Sequence, residues 1–101
     1  ELEKYNNLLT DKFSNYNIED FELINHTTGS YFTLKSFDNF VSKYQTRIYI
    51  RDNTFVDGKL NFENALEYFS EGIKYYYKNP KLLKEKDMKL FEFIESVIND
   101  E

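Results

Sequence analysis

The sequence predicts an α+β fold, in which a small antiparallel sheet of about three strands is packed against one N-terminal and two C-terminal helices. Residues 2–15 and 61–79 repeat apolar side chains every three or four positions, which is typical of amphipathic helices. Residues 18–35 instead contain short alternating runs separated by a turn, which is typical of a hairpin. Helices that follow local hairpins usually cover an antiparallel sheet, so all 101 residues are expected to form one domain.

The N-terminal segment is expected to form a helix followed by the first hairpin. Residues 2–15 carry their apolar side chains on one helical face, at Leu2, Tyr5, Leu8, Leu9 and Phe13. Residues 18–27 are predicted to form the first strand, because Phe21 and Leu23 alternate with Asp20 and Glu22. Residues 31–35 are predicted to form the next strand, with Phe32 and Leu34 on one face. Thr28 and Gly29 lie between these runs and predict a tight turn that pairs the two strands.

The middle of the chain is expected to add a third strand, at residues 46–52. One side of this strand carries both arginines of the chain around a ring, as Arg47, Tyr49 and Arg51. Such a face can bind a carboxylate, a phosphate or a base, although pairing of the arginines with acids on neighbouring strands is the more ordinary expectation. Residues 37–45 fit a short helix and a strand equally well. Asp57 and Gly58 predict a tight turn before the next helix.

Residues 61–79 are predicted to form the central helix of the fold. Asn61 can cap its first turn, and the proline at position 80 stops it. Its predicted core face consists of Phe62, Ala65, Leu66, Phe69, Ile73, Tyr76 and Tyr77. Phe69 lies in the middle of this face and is therefore expected deep in the core. Gly72 lies on the flank, where the missing side chain allows either close packing of another element or docking of a partner.

The candidate partner-binding residues lie on the predicted solvent face of this helix and in the first strand. Glutamates that recur every four residues form an acidic row along the helix, two tyrosines flank that row, and a second acidic cluster begins the strand. These residues are Glu63, Glu67 and Glu71; Tyr68 and Tyr75; and Glu19, Asp20 and Glu22. A solvated helix face is the ordinary explanation of such a row, and binding of a basic partner is the functional hypothesis.

The C-terminal segment is expected to form the last helix, with two possible starts. Pro80 can occupy the first helical position after Asn79, and Asp87 can instead cap a later start. The apolar stripe of this helix consists of Leu90, Phe91, Ile94, Val97 and Ile98. Either start places the last helix after the central one, so the two can cover the sheet together.

The residues needed for most catalytic centres are missing from the sequence. There is no cysteine, one histidine (His26) and three glycines, which excludes a thiolate nucleophile, a zinc-ligand set and a glycine-rich phosphate loop. His26 lies near Thr28 and Ser30 without a supporting motif, and residues 53–64 lack carboxylates where a calcium loop requires them. The chain is therefore expected not to be an enzyme and to need no cofactor or metal.

The formal net charge of −5 bears on the kind of partner. Nucleic-acid binding uses lysine and arginine to neutralise phosphates, so an acidic chain favours a basic protein partner over direct nucleic-acid binding. No apolar run approaches the ~20 residues of a membrane span, and the lack of cysteine fits a reducing compartment, so a cytoplasmic location is expected. The chain begins at Glu1 without methionine, as a piece of a longer protein would.

In its predicted order of one helix, three strands and two helices, and in its acidity, the chain resembles some phage-encoded anti-CRISPR inhibitors, which mimic DNA. The resemblance covers architecture and charge, and no motif residue is carried over. It implies an inhibitor that occupies the basic groove of a nucleic-acid-handling protein. Two other hypotheses remain. One is an immunity-type or regulatory module that binds through the aromatic pair Tyr68 and Tyr75. The other is a homodimer joined through an exposed strand or the Gly72 flank.

Overall fold

The computed structural model describes residues 2–51 and 54–99 and confirms the α+β prediction. The described chain contains a three-stranded antiparallel sheet, a separate two-stranded hairpin and four α-helices. The helices are α1 (Leu2–Phe13), α2 (Glu67–Lys78), α3 (Pro80–Lys86) and α4 (Met88–Asn99). The strands are β1 (Phe21–Ile24), β2 (Tyr31–Leu34), β3 (Ile48–Tyr49), β4 (Phe55–Val56) and β5 (Lys59–Leu60).

The three-stranded sheet has β2 at its centre. Phe21 of β1 lies opposite Leu34 of β2, and Ile48 of β3 lies opposite Phe32. The strands are shorter than predicted, because residues 18–20 form a 3₁₀ turn instead of the start of β1, and β3 has only two residues. The alternation identified the buried side only in part: Phe21, Leu34 and Ile48 are buried, whereas Leu23 is 50% exposed and Ile50 is 45% exposed.

Residues 37–45 form neither the predicted helix nor the predicted strand, but an irregular segment that leads into a 3₁₀ turn at Tyr44–Thr46. Irregular backbone can be buried only if its polar groups find partners. Gln45, which is fully buried, supplies them: its Oε1 accepts from the Val41 N–H at 3.0 Å, and its Nε2 donates to the Tyr68 carbonyl at 3.0 Å. One side chain therefore joins this segment to α2.

The turn predicted at Asp57 and Gly58 is present, and it joins β4 to β5, two strands that the sequence analysis did not predict. The backbone φ angles of Asp57 and Gly58 are +54° and +78°. Two successive residues with positive φ are the geometry of a type I′ hairpin turn, for which Asp-Gly is a preferred pair. The hairpin returns the chain beside α1, where the buried Leu60 joins the core.

The central helix is shorter than residues 61–79, and its buried face differs from the prediction. Asn61 caps only a 3₁₀ turn at Phe62–Asn64, where its side chain accepts from the Glu63 N–H at 3.1 Å, and α2 begins at Glu67. Tyr68 and Gly72 are the buried residues of α2, whereas Phe69 is only half-buried. The expectation that Phe69 lies deep in the core is wrong, because the helix turns its Tyr68 and Gly72 side inward.

Gly72 explains this orientation. A Cβ atom at this position would lie 2.7 Å from Leu90 Cδ2 and 3.0 Å from Ile94 Cδ1, both on α4. Only glycine lets α4 approach α2 so closely without displacing these side chains. The packing explanation of Gly72 is therefore confirmed, and its flank is filled from within the chain.

Both predicted starts of the last helix are used, which produces two helices. The Asn79 side chain accepts from the Leu82 N–H at 3.2 Å at the start of α3. The Asp87 side chain accepts from the Leu90 N–H at 3.1 Å at the start of α4. Each cap satisfies an otherwise unpaired N–H of a first helical turn, so the chain turns at Asp87 instead of continuing one helix.

The core lies between the sheet and the helices and is dominated by aromatic rings. The buried ring of Phe13 lies 5.4 Å from those of Phe40 and Phe62 and 5.8 Å from that of Tyr68. Such ring pairs add to the free energy of burial by about 0.5–1.5 kcal/mol each. This cluster joins α1 and α2 to the irregular segment and thereby fixes the relative positions of the two helices.

Candidate protein-binding groove

The predicted acidic row Glu63, Glu67 and Glu71 is not an uninterrupted solvated face. Glu63 is exposed but lies in the 3₁₀ turn before α2. The carboxylate of Glu67 accepts hydrogen bonds from the hydroxyls of Tyr44, at 3.2 Å, and Tyr49. The carboxylate of Glu71 accepts from the Ser42 hydroxyl at 2.9 Å. Two of the three carboxylates therefore hold the irregular segment and β3 against α2.

The contact of Glu67 with Tyr49 has an electrostatic consequence for the tyrosine. Burial raises the pKa of the Tyr49 hydroxyl above its usual range, and the hydrogen bond to the Glu67 carboxylate raises it further. A neutral hydroxyl that donates to a carboxylate is the stable arrangement here. Glu67 is thus a half-buried acceptor of two tyrosine hydroxyls, and not the fully solvated carboxylate that was expected at this position.

The second acidic cluster, Glu19, Asp20 and Glu22, also has partners within the chain. The carboxylate of Asp20 accepts from the Asn17 N–H at 2.7 Å and closes the 3₁₀ turn before β1. The carboxylate of Glu22 lies 2.5 Å from the Lys43 ammonium, whose hydrogen bond and charge lower the pKa of Glu22. The Glu19 side chain is exposed.

The predicted aromatic pair Tyr68 and Tyr75 does not form a surface patch. Tyr68 is fully buried and its hydroxyl donates to the Asp87 carboxylate. Tyr75 is half-buried against the core, with the Lys74 ammonium 5.9 Å from its ring centroid. The expectation that both rings lie off the core face is wrong, because the close approach of α4 at Gly72 turns this side of α2 inward.

The structure instead exposes an apolar groove between α1, α2 and α4, with a volume of about 460 Å³. The groove is lined by Leu2, Tyr5, Glu63, Leu66, Phe69, Phe93 and Val97. Its aliphatic side chains remain open to solvent: Leu2 is 74% exposed, Leu66 47% and Val97 37%. A contiguous exposed apolar surface of this kind is typical of interaction sites.

Three rings form the floor of the groove. The centroid of Tyr5 lies 5.5 Å from that of Phe69 and 5.9 Å from that of Phe93, and Phe69 and Phe93 lie 5.9 Å apart. Each ring comes from a different helix and contacts the other two, which limits the motion of all three. Burial raises the pKa of the Tyr5 hydroxyl to about 12, as expected for a phenol at an apolar surface. The floor is therefore preorganised.

Sequence reasoning missed the groove because it assigned every apolar stripe to the core. Leu66 and Phe69 were placed on the core face of one long helix, and Val97 on that of the last helix. The 3₁₀ turn before Glu67 moves Leu66 off that helix, and Gly72 sets the rotation that leaves Phe69 at the surface. One feature of the sequence did indicate an exposed apolar surface. The apolar stripes of the helices are wide, and a single small core cannot bury every large apolar residue of three helices.

The described part of the chain contains neither a metal-binding cluster nor a helix that could span a membrane. Within residues 2–51 and 54–99, no group of three or more His, Asp or Glu side chains is arranged to hold a metal ion. None of the described helices is both long and apolar enough to cross a membrane.

No protein-family model matches the chain, and comparison with curated proteins and with solved structures finds no similar protein.

Proposed function

We propose that the chain is a small non-enzymatic binding module that holds the apolar face of a basic amphipathic helix from a partner protein. The observation that carries this proposal is the groove, in which the exposed side chains of Leu2, Leu66 and Val97 surround a floor of three packed rings. Aromatic side chains are enriched in the cores of protein interfaces, and residues around such a centre contribute by excluding water from it. This is the regulatory or immunity-type hypothesis, with the binding surface moved from Tyr68 and Tyr75 to the groove.

A helix is the occupant that the shape favours. The walls belong to three helices, and the groove between them can accept a fourth, whose anchors at every third or fourth residue would contact the wall residues in turn. An extended strand would instead need unpaired backbone groups along the groove with which to form hydrogen bonds. The groove is lined by side chains of helices and of the capped turn that carries Glu63, so it favours a helix over a strand.

The charge of the chain favours a basic flank on that helix. Of the described residues that line the groove, Glu63 alone is charged, and its charge is negative. The whole chain carries a net charge of −5. Lysines beside the apolar face of the partner would meet this rim and would speed association. The same charge disfavours a second copy of this chain as the occupant, because two acidic surfaces would then approach each other.

DNA mimicry of the anti-CRISPR type remains a prediction with less structural support. It requires a row of carboxylates available to a cationic groove, whereas those of Glu67 and Glu71 accept hydrogen bonds within the chain. The exposed Glu19 and Glu63 remain available to such a partner. A cytoplasmic location also remains a prediction, supported by the absence of cysteine.

Affinity capture with matched variants tests the proposal. The double variant Leu66→Ser/Val97→Ser removes two exposed anchors and should not disturb the core, and Leu23→Ser removes an equally exposed leucine from the sheet. A partner that binds wild type and Leu23→Ser but not the double variant, and whose binding segment becomes helical on mixing as measured by circular dichroism, supports the groove.

Two results would oppose the proposal. A partner retained by Leu66→Ser/Val97→Ser but released by raised salt and by Glu19→Gln/Glu63→Gln would indicate binding through surface carboxylates, as DNA mimicry requires. A wild-type chain that is dimeric by light scattering, and becomes monomeric in the double variant, would show that a second copy fills the groove.

A further inference from the structure

The edge of the three-stranded sheet at β1 is open. Within residues 2–51 and 54–99, no strand pairs with the outer side of β1. An open edge presents unpaired backbone N–H and C=O groups to any chain that can pair with them, and native proteins usually cover, charge or shorten such an edge. The edge is separate from the groove between α1, α2 and α4 and does not depend on the proposed function.

The hydrogen bonds of the sheet fix which backbone groups of β1 point outward. The Lys35 N–H donates to the Asp20 carbonyl at 2.9 Å, so these two residues face each other as a hydrogen-bonded pair. The Leu34 N–H instead donates to Thr46 Oγ1, on the side away from β1. Because such pairs alternate along an antiparallel ladder, every second residue counted from Asp20 bonds to β2, and the residues between them turn their backbone groups outward.

Leu23 lies in the middle of the open edge. Its N–H and its carbonyl both point outward, and neither has a hydrogen-bond partner among the described residues. The Phe21 carbonyl and the Asn25 N–H point outward in the same way, whereas the Phe21 N–H already donates to the Ile18 carbonyl. The Leu23 side chain is 50% exposed, although Phe32 lies opposite it on β2.

These outward groups are complementary to themselves. If two β1 strands run antiparallel about a twofold axis at Leu23, each Leu23 N–H faces the Leu23 carbonyl of the second copy, and each Asn25 N–H faces the Phe21 carbonyl. Each copy then donates through both of its outward N–H groups and accepts through both of its outward carbonyls. The two Leu23 side chains lie side by side on one face of the joined sheet and cover each other.

The charged residues along the edge allow this pairing. The Glu22 carboxylate is already paired with the Lys43 ammonium at 2.5 Å. Asp20 and His26 lie equally far from Leu23 along the chain, so the twofold axis places Asp20 opposite His26 of the second copy. The Thr28 N–H donates to His26 Nδ1 at 3.3 Å, so a neutral His26 ring carries its proton on Nε2 and can donate it to a carboxylate.

We propose that the chain forms a weak homodimer, in which β1 pairs antiparallel with β1 of a second copy and joins two three-stranded sheets into one. A strand of another protein would also match the backbone groups, but the symmetric placement of Asp20 and His26 about Leu23 favours a second copy. The interface is small, and small interfaces are typical of transient association. The net charge of −5 on each copy opposes association, so raised salt should strengthen the dimer.

Light scattering of the whole chain over a range of concentrations, combined with amide hydrogen exchange, tests this proposal. The mass should rise toward that of a dimer, and the N–H groups of Leu23 and Asn25 should exchange several-fold more slowly as it does. Leu66→Ser/Val97→Ser should dimerise as wild type does, which separates this dimer from one formed through the groove. A monomeric mass up to about 1 mM protein, or a dimer in which the Leu23 N–H is unprotected, would overturn the proposal.

Charge-swap variants at Leu23 test the symmetric register. Leu23→Lys and Leu23→Glu each place like charges opposite each other, so each alone should lose about tenfold or more in dimer affinity, and a mixture of the two should recover it as a heterodimer. Leu23→Pro removes the outward N–H without removing a bond to β2 and should also be monomeric.

Circular dichroism checks that each variant at this position is folded, and the charge-swap pair decides the question if the proline variant is not. Wild-type dimer affinity in Leu23→Lys, or a mixture that associates no better than either variant alone, would overturn the proposal. A wild-type chain that stays monomeric while a segment of another protein protects the Leu23 N–H would replace the second copy with that protein.

Discussion

The hydroxyl of Tyr68 on α2 donates a hydrogen bond to the carboxylate of Asp87, which caps α4. The same Asp87 oxygen lies 3.3 Å from the ammonium group of Lys12 on α1. One buried carboxylate therefore joins α1, α2 and the start of α4, the three helices that form the groove. The geometry of the groove depends on this buried cluster of Lys12, Tyr68 and Asp87.

Removal of Asp87 should destabilise the fold more than any surface change. Asp87→Ala leaves the Lys12 ammonium buried without its counter-charge and removes the cap of α4, so we expect a loss of about 3–5 kcal/mol in the free energy of unfolding. Urea unfolding followed by circular dichroism measures this loss. The double variant Lys12→Met/Asp87→Ala should lose less than the sum of the two single variants. Strictly additive losses would show that the two residues are not coupled.

Gly72→Ala should destabilise the protein although alanine favours helices. The new methyl group would lie 2.7 Å from Leu90 Cδ2, so either the buried Leu90 side chain must change its position or α2 and α4 must move apart. Overpacking of this kind costs about 1–3 kcal/mol, which exceeds the gain of about 1 kcal/mol from helix propensity. Ser70→Ala, at an exposed position of the same helix, is the control and should be neutral or slightly stabilising. A Gly72→Ala variant with a higher melting temperature than wild type would contradict the close packing.

Stability should fall at alkaline pH because buried tyrosines resist ionisation. The pKa of Tyr5 is raised to about 12, and burial also raises those of Tyr49 and Tyr68. An unfolded tyrosine ionises at a pKa of about 10, so above that pH the unfolded chain binds fewer protons and is favoured. The stability that these neutral tyrosines contribute is fully present below pH 10, and it is lost as the pH rises from there toward their pKa values in the folded protein. Tyr5→Phe should lessen the fall in unfolding free energy.

Lys12 acts in the opposite direction. Burial lowers its pKa, only partly offset by Asp87, so between its folded pKa and the unfolded value of about 10.4 the unfolded chain binds more protons. Stability contributed by this lysine therefore rises with pH across that range. Lys12→Met should remove this rise, so the free energy of unfolding should fall more steeply at alkaline pH in the variant than in wild type. An unchanged pH profile in Lys12→Met would contradict the lowered pKa.

Glu67 and Glu63 should differ in their effect on folding. Glu67→Ala removes the acceptor of the Tyr44 and Tyr49 hydroxyls and should cost about 1–3 kcal/mol. Glu63→Ala changes an exposed side chain whose backbone N–H keeps its bond to Asn61, so its effect should stay within about 0.5 kcal/mol. Chemical denaturation of both variants checks this. Equal, small losses would show that Glu67 is an ordinary solvated residue.

The fold class could be predicted from the sequence because its signals are local. The stripe that contains Leu8, Leu9 and Phe13 specified α1, and Asp57 with Gly58 specified a tight turn, although not the hairpin that the turn connects. The α3 and α4 starts were both visible as capping residues. Each of these features depends on residues a few positions apart, which a sequence displays directly.

The candidate site could not be predicted, because it depends on how distant elements pack. The rotation of α2 is decided by contacts of Gly72 with α4, and the burial of Gln45 by its bonds to Val41 and Tyr68. The periodicity within α2 does not decide whether the helix turns Tyr68 or Phe69 toward the core, because apolar side chains lie on both sides of the helix. The groove appears only once these long-range contacts are known.

The most direct test of the central claim is an NMR titration of the labelled chain with a synthetic amphipathic helix of leucine and lysine. The account predicts saturable shifts centred on Tyr5, Phe69 and Phe93 that persist at raised salt. Leu66→Ser/Val97→Ser should weaken binding by about tenfold or more, since each buried anchor is worth about 1.5–3 kcal/mol, and Leu23→Ser should bind as wild type does. Shifts centred on Glu19 and Glu22 that vanish with salt and are unchanged in the double variant would contradict it.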